Sequence, residues 1–249
     1  MQKTWLVALG MLLVYGVPRA DAQVINWNDR GFVNVNGGYQ TQSHDFDATT
    51  KFSLYGETAT LKAGHEVGSG ALLDVSGGVR VWRNVGIGVG YSRFQNSDDV
   101  TVTATLPHPI FFDRPRSATA AASDLEHTES AVHIFGLWML PVSQKMDVAF
   151  FLGPTIFSVK QDLVTSVQIA QPESAPFTGT ITGVGKTEVK ETGVGVNVGV
   201  DWMYMVTPKL GGGVFLRYAG GSVKLETQGL SVDMKVGGFQ LGAGLRVRF

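Results

Sequence analysis

The last eleven residues of the chain, Phe239 to Phe249, alternate without a fault. Phe239, Leu241, Ala243, Leu245 and Val247 are apolar, and between them stand Gln240, Gly242, Gly244, Arg246 and Arg248. A strict period of two is the pattern of a β-strand, whose successive side chains point to opposite faces. The length is also informative, since a strand tilted across a bilayer needs about 9–11 residues. One face suits hydrocarbon and the other suits a polar interior, as in a transmembrane barrel.

The opposite end agrees. Lys3 precedes an apolar run from Trp5 to Val17, and Ala20-Asp21-Ala22 fits a small-x-small cleavage site. These features read as a secretory leader over residues 1–22, with residues 23–249 as a single barrel domain. No other stretch approaches the roughly 18 uninterrupted apolar residues of a helical span. A membrane protein without such a span must close its strands into a barrel, because lipid offers no partner to an unpaired backbone group. The formal net charge of −1 leaves no electrostatic footprint for nucleic acid, and the absence of cysteine excludes disulfides and thiolate metal sites. The 32 glycines are about twice the usual share of roughly 7%. Most fall inside alternating segments, where small residues are expected to ease curvature.

Eight such segments can be read in order: 31–42, 70–82, 85–95, 126–140, 145–159, the run Val194 to Tyr204, 209–219 and the terminal strand. In the clearest, Val194, Val196, Val198, Val200, Trp202 and Tyr204 oppose Gly195, Asn197, Gly199 and Asp201. Residues directly opposite in an antiparallel pair share a face, which fixes three short turns. Val81 is expected opposite Val85 with Asn84 in the left-handed turn position, Leu140 opposite Met146, and Val206 opposite Leu210. Long loops are then expected near 43–69, 96–125, 160–186 and 220–231. Short turns on one side and long loops on the other match the periplasmic and extracellular ends of such barrels. Phe52–Val67 alternates partly. It is read as loop or strand extension, because one additional strand would break the parity of the termini. A hairpin in the first loop and a ten-stranded barrel are the alternatives.

This pattern resembles the small eight-stranded bacterial outer-membrane β-barrels: the OmpA transmembrane domain, OmpX and, more loosely, OmpW. The resemblance implies an all-β, up-and-down antiparallel transmembrane barrel with long extracellular loops, placed in the outer membrane among its lipids and lipopolysaccharide. It also implies that Phe249, Val247, Leu245 and Phe239 form the C-terminal signal read by the barrel-assembly machinery. A monomer without a cofactor is expected.

Inward-facing polar residues are expected to include Asn34, Asn36, His133, Asp147, Asn197 and Arg248, with Asp74, Arg80, Asp201, Arg217 and Arg246 as a lumen network. Arg217 lies diagonally from Asp201 and Asn197. Eight strands enclose room for side chains or one small ligand, so a water-filled pore is not expected. Small barrels that are enzymes need a His with a carboxylate or Ser. His127 and Glu129 share a face and Ser130 follows, a combination that permits a general base but does not match the His-x-Ser pattern of lipid A deacylases. His44-Asp45 and His65-Glu66 read as solvated loop residues, and no catalytic, metal or cofactor site is assigned. Arg93, just above the apolar face, is a candidate for a lipopolysaccharide phosphate. The string LPHPIFFDRPRS at 106–117 carries His108, Phe111, Phe112 and Arg114 on a proline-stiffened loop. It should either fold down as a lid on the barrel mouth, the favoured expectation, or bind a partner. The role expected is structural or surface-interacting. The alternatives are a narrow channel or transporter for small or hydrophobic solutes and a lipid-modifying enzyme.

Overall fold

A computed structural model describes residues 27–41, 45–66, 68–170, 177–227 and 230–249. The leader assigned to 1–22 and the residue His44 lie outside these. Ten strands are present: β1 (Gly31–Gln40), β2 (Asp45–Leu54), β3 (Glu57–Glu66), β4 (Gly70–Trp82), β5 (Val85–Leu106), β6 (Arg116–Pro141), β7 (Met146–Ala170), β8 (Thr180–Met205), β9 (Leu210–Thr227) and β10 (Leu230–Arg248). Eight of them close a ring in the order β1-β4-β5-β6-β7-β8-β9-β10, with β10 returning antiparallel to β1.

The closed ring leaves no exposed edge in its lower half, and that half carries an apolar exterior. Leu73, Ile87, Leu152, Val196, Leu216, Leu241 and Leu245 all stand outward and exposed. Such an exterior is tolerable only against lipid. Trp82, Trp138, Trp202 and Tyr204 ring it beside the short turns, and Tyr39, Tyr91, Tyr218 and Phe239 ring it at the other end. Trp138 stacks on Phe150 at 6.1 Å and Tyr218 meets Phe239 at 5.2 Å. The chain is a membrane-spanning β-barrel.

The turns differ in detail from the sequence reading. Val206 and Leu210 do face each other across 207–209, with the Val206 amide donating to the Leu210 carbonyl at 3.0 Å. Leu140, however, faces Val148 rather than Met146. The shift of two keeps every face and tightens the turn, which closes between Val142 and Met146. Between β4 and β5 a bulge at Val81 puts Trp82 opposite Val85, and Arg83, not Asn84, takes the left-handed conformation at φ 48°. Val79–Ile87 and Val75–Tyr91 pair as the faces require.

The expected long loops are mostly strand. β5 to β8 continue well past the apolar band, and the described connections shrink to short tips. The 22 residues of β5 represent about 70 Å of strand, or about 55 Å of height at a tilt near 40°. The apolar band occupies about 25 Å of that. The remainder is a head standing about 30 Å above it.

Along the strands that enter the head the apolar face changes sides at this boundary. On β5 the odd residues Val85, Ile87, Val89 and Tyr91 point outward to lipid, whereas Phe94, Val100, Val102, Ala104 and Leu106, all even, are buried inside. On β9, outward Val214, Leu216 and Tyr218 give way to inward Ala219, Val223 and Leu225. On β10, outward Phe239 and Leu241 are preceded by inward Met234 and Val236. Only the chemistry of each face changes on these strands. β6 needs a further device: Asp124 at φ 56° and a register shift opposite Asp98–Val100 let Ala118 and Ala122 turn inward. An extra residue that reverses which side faces in is what a β-bulge supplies.

The head is not a continuation of the closed ring. β1 and β4 stop below it, and the β2–β3 hairpin, turning through Tyr55 and Gly56 at φ 53° and 80°, stands in their place. Positive φ at both central residues is the tight turn that suits strand twist. Thr60–Gly64 of β3 pair with Thr101–Thr105 of β5. Phe52–Glu66 therefore contributes to a hairpin in the first connection, Val67 lies outside the described residues, and the membrane ring keeps eight strands. Above His127–Gln161 the β6–β7 pairing ends, and above Val194–Ser222 so does β8–β9. The head is thus a four-stranded sheet, β2-β3-β5-β6, with the β7–β8 and β9–β10 hairpins closing on it. Leu61, Val102, Leu106, Leu125, Leu163, Val189, Leu225 and Met234 share one buried cluster between them.

Candidate functional site

Inside the membrane barrel the longest series of polar side chains forms a continuous chain of contacts from Gln161 to Asn34. At the head end Gln161 Oε1 lies 2.6 Å from His127 Nδ1, and His127 Nε2 lies 3.0 Å from Glu129 Oε1. Glu129 Oε2 accepts from Gln40 Nε2 and from the Gly237 amide, both at 3.0 Å. Gly237 can aim its N–H inward because its φ of +87° is open to glycine. Gln240 donates to Gln40 at 2.6 Å, and Arg217 Nε donates to Gln240 Oε1 at 2.5 Å. Arg217 then pairs with Asp74 at 2.8 Å, and Asp74 accepts from Asn36 at 2.9 Å. Asn36 accepts from Arg246, whose Nε and terminal nitrogen grip Asp201 at 2.7–3.3 Å. Asn34 completes the chain on Asp201 at 3.3 Å.

Buried ions are tolerated only in such company, since removing a charge from water costs several kcal/mol unless a partner and further hydrogen bonds replace the solvent. Arg246 is 1% exposed, and its two-pronged grip on one carboxylate is the strongest ion-pair geometry available to it. A second group, Ser92, His133, Thr155 and Asn197, links β5 to β8 by contacts of 2.8–2.9 Å. Near the short turns Arg248 pairs with Asp147 at 2.5 Å and Asp29 at 3.4 Å. Arg80 stands apart from the expected network. It is half-buried and donates to the Trp27 carbonyl at 2.5 Å. Arg217 pairs with Asp74, not with Asp201 as its diagonal position suggested. Asp201 is taken by Arg246, which reaches past β9 to meet it.

The rest of the interior is apolar, and the sequence reading missed it. Trp27, Phe32, Phe135, Leu137, Met139, Ala149 and Met203 cluster beside the network, with Phe135 and Phe151 5.5 Å apart. The run His133–Leu140 is apolar on both faces, which hides its inward members. Several interior rings lie over glycines. A Cβ at Gly78 would meet Phe32 at 2.7 Å, and one at Gly221 would meet Phe157 at 3.1 Å. Part of the glycine content therefore makes room for aromatic rings as well as for curvature. Between the cluster and the network lies a cavity of about 40 Å³, lined by Phe135, Phe151, Asn36, Asp74, Asp201 and Arg217. That is space for one to a few waters. Above, the apolar core of the head stands over the barrel.

The His127–Glu129 pair is wholly buried, and Ser130 points to the other face, where its hydroxyl meets that of Tyr91 at 3.2 Å. The three do not converge. His65 is buried in the hairpin, not solvated as its place in the first loop suggested, and burial lowers its pKa to about 4 against the opposing pull of Asp47. Arg93 is exposed above the apolar band, beside a pocket of about 100 Å³ shared with Glu126, Lys160, Asp162 and Glu188. At the terminus, the Phe249 carbonyl accepts from the Arg30 and Gly31 amides at 2.8 and 2.9 Å, and its ring lies over Gly31. Val247, Leu245 and Phe239 face outward from β10.

At the far end of the head, His108 Nδ1 accepts from the Ile110 and Phe111 amides at 3.1 and 3.2 Å, which curls the loop over its own histidine. The His108 ring lies 5.0 Å from Phe111 and 5.6 Å from Phe177. Arg116 ties the base down by donating to the carbonyls of Pro107 and Phe177. The Asp113 amide donates to Glu57, joining this tip to the β2–β3 turn at 3.2 Å. The expected lid does not form. Ile110, Phe111 and Phe112 are 59%, 56% and 75% exposed, with the Arg114 guanidinium 6.0 Å from the Phe111 ring.

No known family's sequence profile matches the chain, and no curated protein matches it in sequence. Solved structures do resemble it in shape. Neisserial surface protein A is 16% identical, with 88% of this chain and 97% of that one covered and a TM-score of 0.43. The outer membrane protein OprG from Pseudomonas aeruginosa is 10% identical over 89% and 97%, with a TM-score of 0.43. The outer membrane protease OmpT from Escherichia coli is 10% identical over 92% and 100%, with a TM-score of 0.44. At these values nothing of those proteins' roles carries over.

Proposed function

We propose that the chain is an outer-membrane surface protein: a closed, non-catalytic barrel that anchors a folded head, with recognition at the tips of the head. The observation that supports this most is the filling of the interior. An apolar cluster and an ion-paired network share the membrane section, and a second apolar core lies above them. A solute path would need water-lined continuity, and an enzyme would need His127, Glu129 and Ser130 on one side of the strand. The outer membrane is the natural setting for a barrel whose strands leave lipid at one end in short turns and at the other in a tall polar-coated structure.

Planar-bilayer recording tests the reading. The purified chain should give no reproducible conductance steps. Steady unitary currents would overturn the closed barrel in favour of a channel for small solutes.

A further inference from the structure

Among the described residues, the head is coated with polar side chains except at one place. Thr101, Thr105, Ser117, Thr119, Lys160, Glu188, Lys224 and Glu226 face out along its sides. The end of the β5–β6 hairpin instead presents Ile110, Phe111 and Phe112 in succession, each more than half exposed. Tyr55, 47% exposed at the turn of the neighbouring hairpin, adds a fourth large side chain and a third ring. Ordering such a display has required effort: prolines at 107, 109 and 115, the His108 cap and the Arg116 tie all hold the loop in shape. A loop that merely needed solvation would not carry its apolar side chains outermost.

We propose that this tip is a membrane-docking wedge that inserts into a lipid bilayer other than the one the barrel spans. The inference rests on the surface-recognition reading above and names the partner. Three features select a bilayer over a protein. The tip is one hairpin loop with three exposed apolar side chains in succession, whereas a stable protein interface buries about 800 Å² per partner. A bilayer adapts to any wedge, and aromatic side chains with an adjacent guanidinium are the residues that settle at its interface. The tip also stands about 30 Å above the barrel's own apolar band, at the far end of a polar-walled head, so its own membrane is out of reach. Many copies on one cell surface would multiply a weak single contact.

The absence of native cysteine makes the test direct. Phe112→Cys carries a polarity-sensitive fluorophore as the sole label, on the full chain in nanodiscs, and Thr119→Cys on the side of the head serves as control. Adding phosphatidylcholine vesicles should shift the emission at 112 to the blue and leave 119 unchanged. The unlabelled protein should co-sediment with the vesicles, and Phe111→Ser with Phe112→Ser should weaken this by about tenfold. Unchanged emission at 112, or a double variant that sediments like wild type, overturns the proposal. So does a tip that responds to a soluble protein and not to vesicles. Conductance in the bilayer recordings would remove the closed-barrel reading while leaving the vesicle result to stand, so the two failures are separable.

Discussion

The lower barrel and the head share strands β5 to β10, on which opposite faces are apolar. Below, Ile87, Leu216 and Leu241 point out and Asn36, Asp201 and Arg246 point in. Above, Val102, Leu163 and Leu225 point in and Thr101, Lys160 and Lys224 point out. The surrounding medium decides which arrangement is stable. Hydrocarbon accepts apolar side chains outside and so frees the interior for ion pairs, whereas water drives the apolar side chains inward. The place on each strand where the pattern inverts marks where lipid ends: between Tyr91 and Phe94 on β5, and between Val236 and Phe239 on β10.

Perturbations that ignore this inversion should do the most damage. Asp201→Ala leaves Arg246 charged and unpaired in the barrel and should cost about 3–5 kcal/mol in urea titrations of the refolded protein. Replacing both by apolar residues should recover much of it, which a lone lost hydrogen bond would not predict. Leu241→Arg, on the lipid face, should cost about 2–4 kcal/mol and reduce the folded band seen by heat-modifiable gel mobility. Thr103→Arg, on the corresponding outward position of the head, should change stability by less than about 0.5 kcal/mol. Equal effects of the two arginines would break the comparison.

Leu61→Ala acts on the head alone. It removes a side chain 2% exposed in the β2–β3 hairpin and should destabilise that region by about 2–3 kcal/mol. Protease should then cut the head faster while the membrane strands stay protected. A further effect on the head is pH-dependent. His65 is held neutral by burial, with its folded pKa lowered from 6.5 to about 4. As pH falls from 6.5 towards 4 the opened hairpin takes up a proton that the closed one refuses, so stability present above pH 6.5 is lost progressively and is gone below about 4. The loss should approach about 3 kcal/mol, read as faster amide exchange in β2 and β3 and absent in His65→Leu.

The inversion also explains what could be read from the sequence. The membrane sections of all eight ring strands were legible because lipid enforces one apolar face with period two. Their continuations were not, since the apolar residues move from odd to even positions on β5 and from even to odd on β9, and a reader following one face sees the pattern stop. Two apolar faces in succession, as in His133–Leu140, concealed Phe135, Leu137 and Met139. Pairings inside the lumen were only partly accessible. Register identifies adjacent-strand neighbours, but Arg217 crosses to Asp74 on β4 and Arg246 on β10 reaches Asp201 on β8. The exposure of Phe111 and Phe112 depends on His108 curling the loop outward, which no local pattern announces.

Because β5 to β8 run unbroken from the short turns into the head, no loop interrupts these four strands at the water line. The barrel and head behave as a rigid mast stepped in a fluid deck. A change in bilayer thickness is met by tilting or by deforming lipid, and the mast amplifies it: a tilt of about 10° carries the tip sideways by about 7 Å. The area swept by Phe111 and Phe112 is thus set by the membrane underneath, and lipid composition at the base governs how far the tip can search.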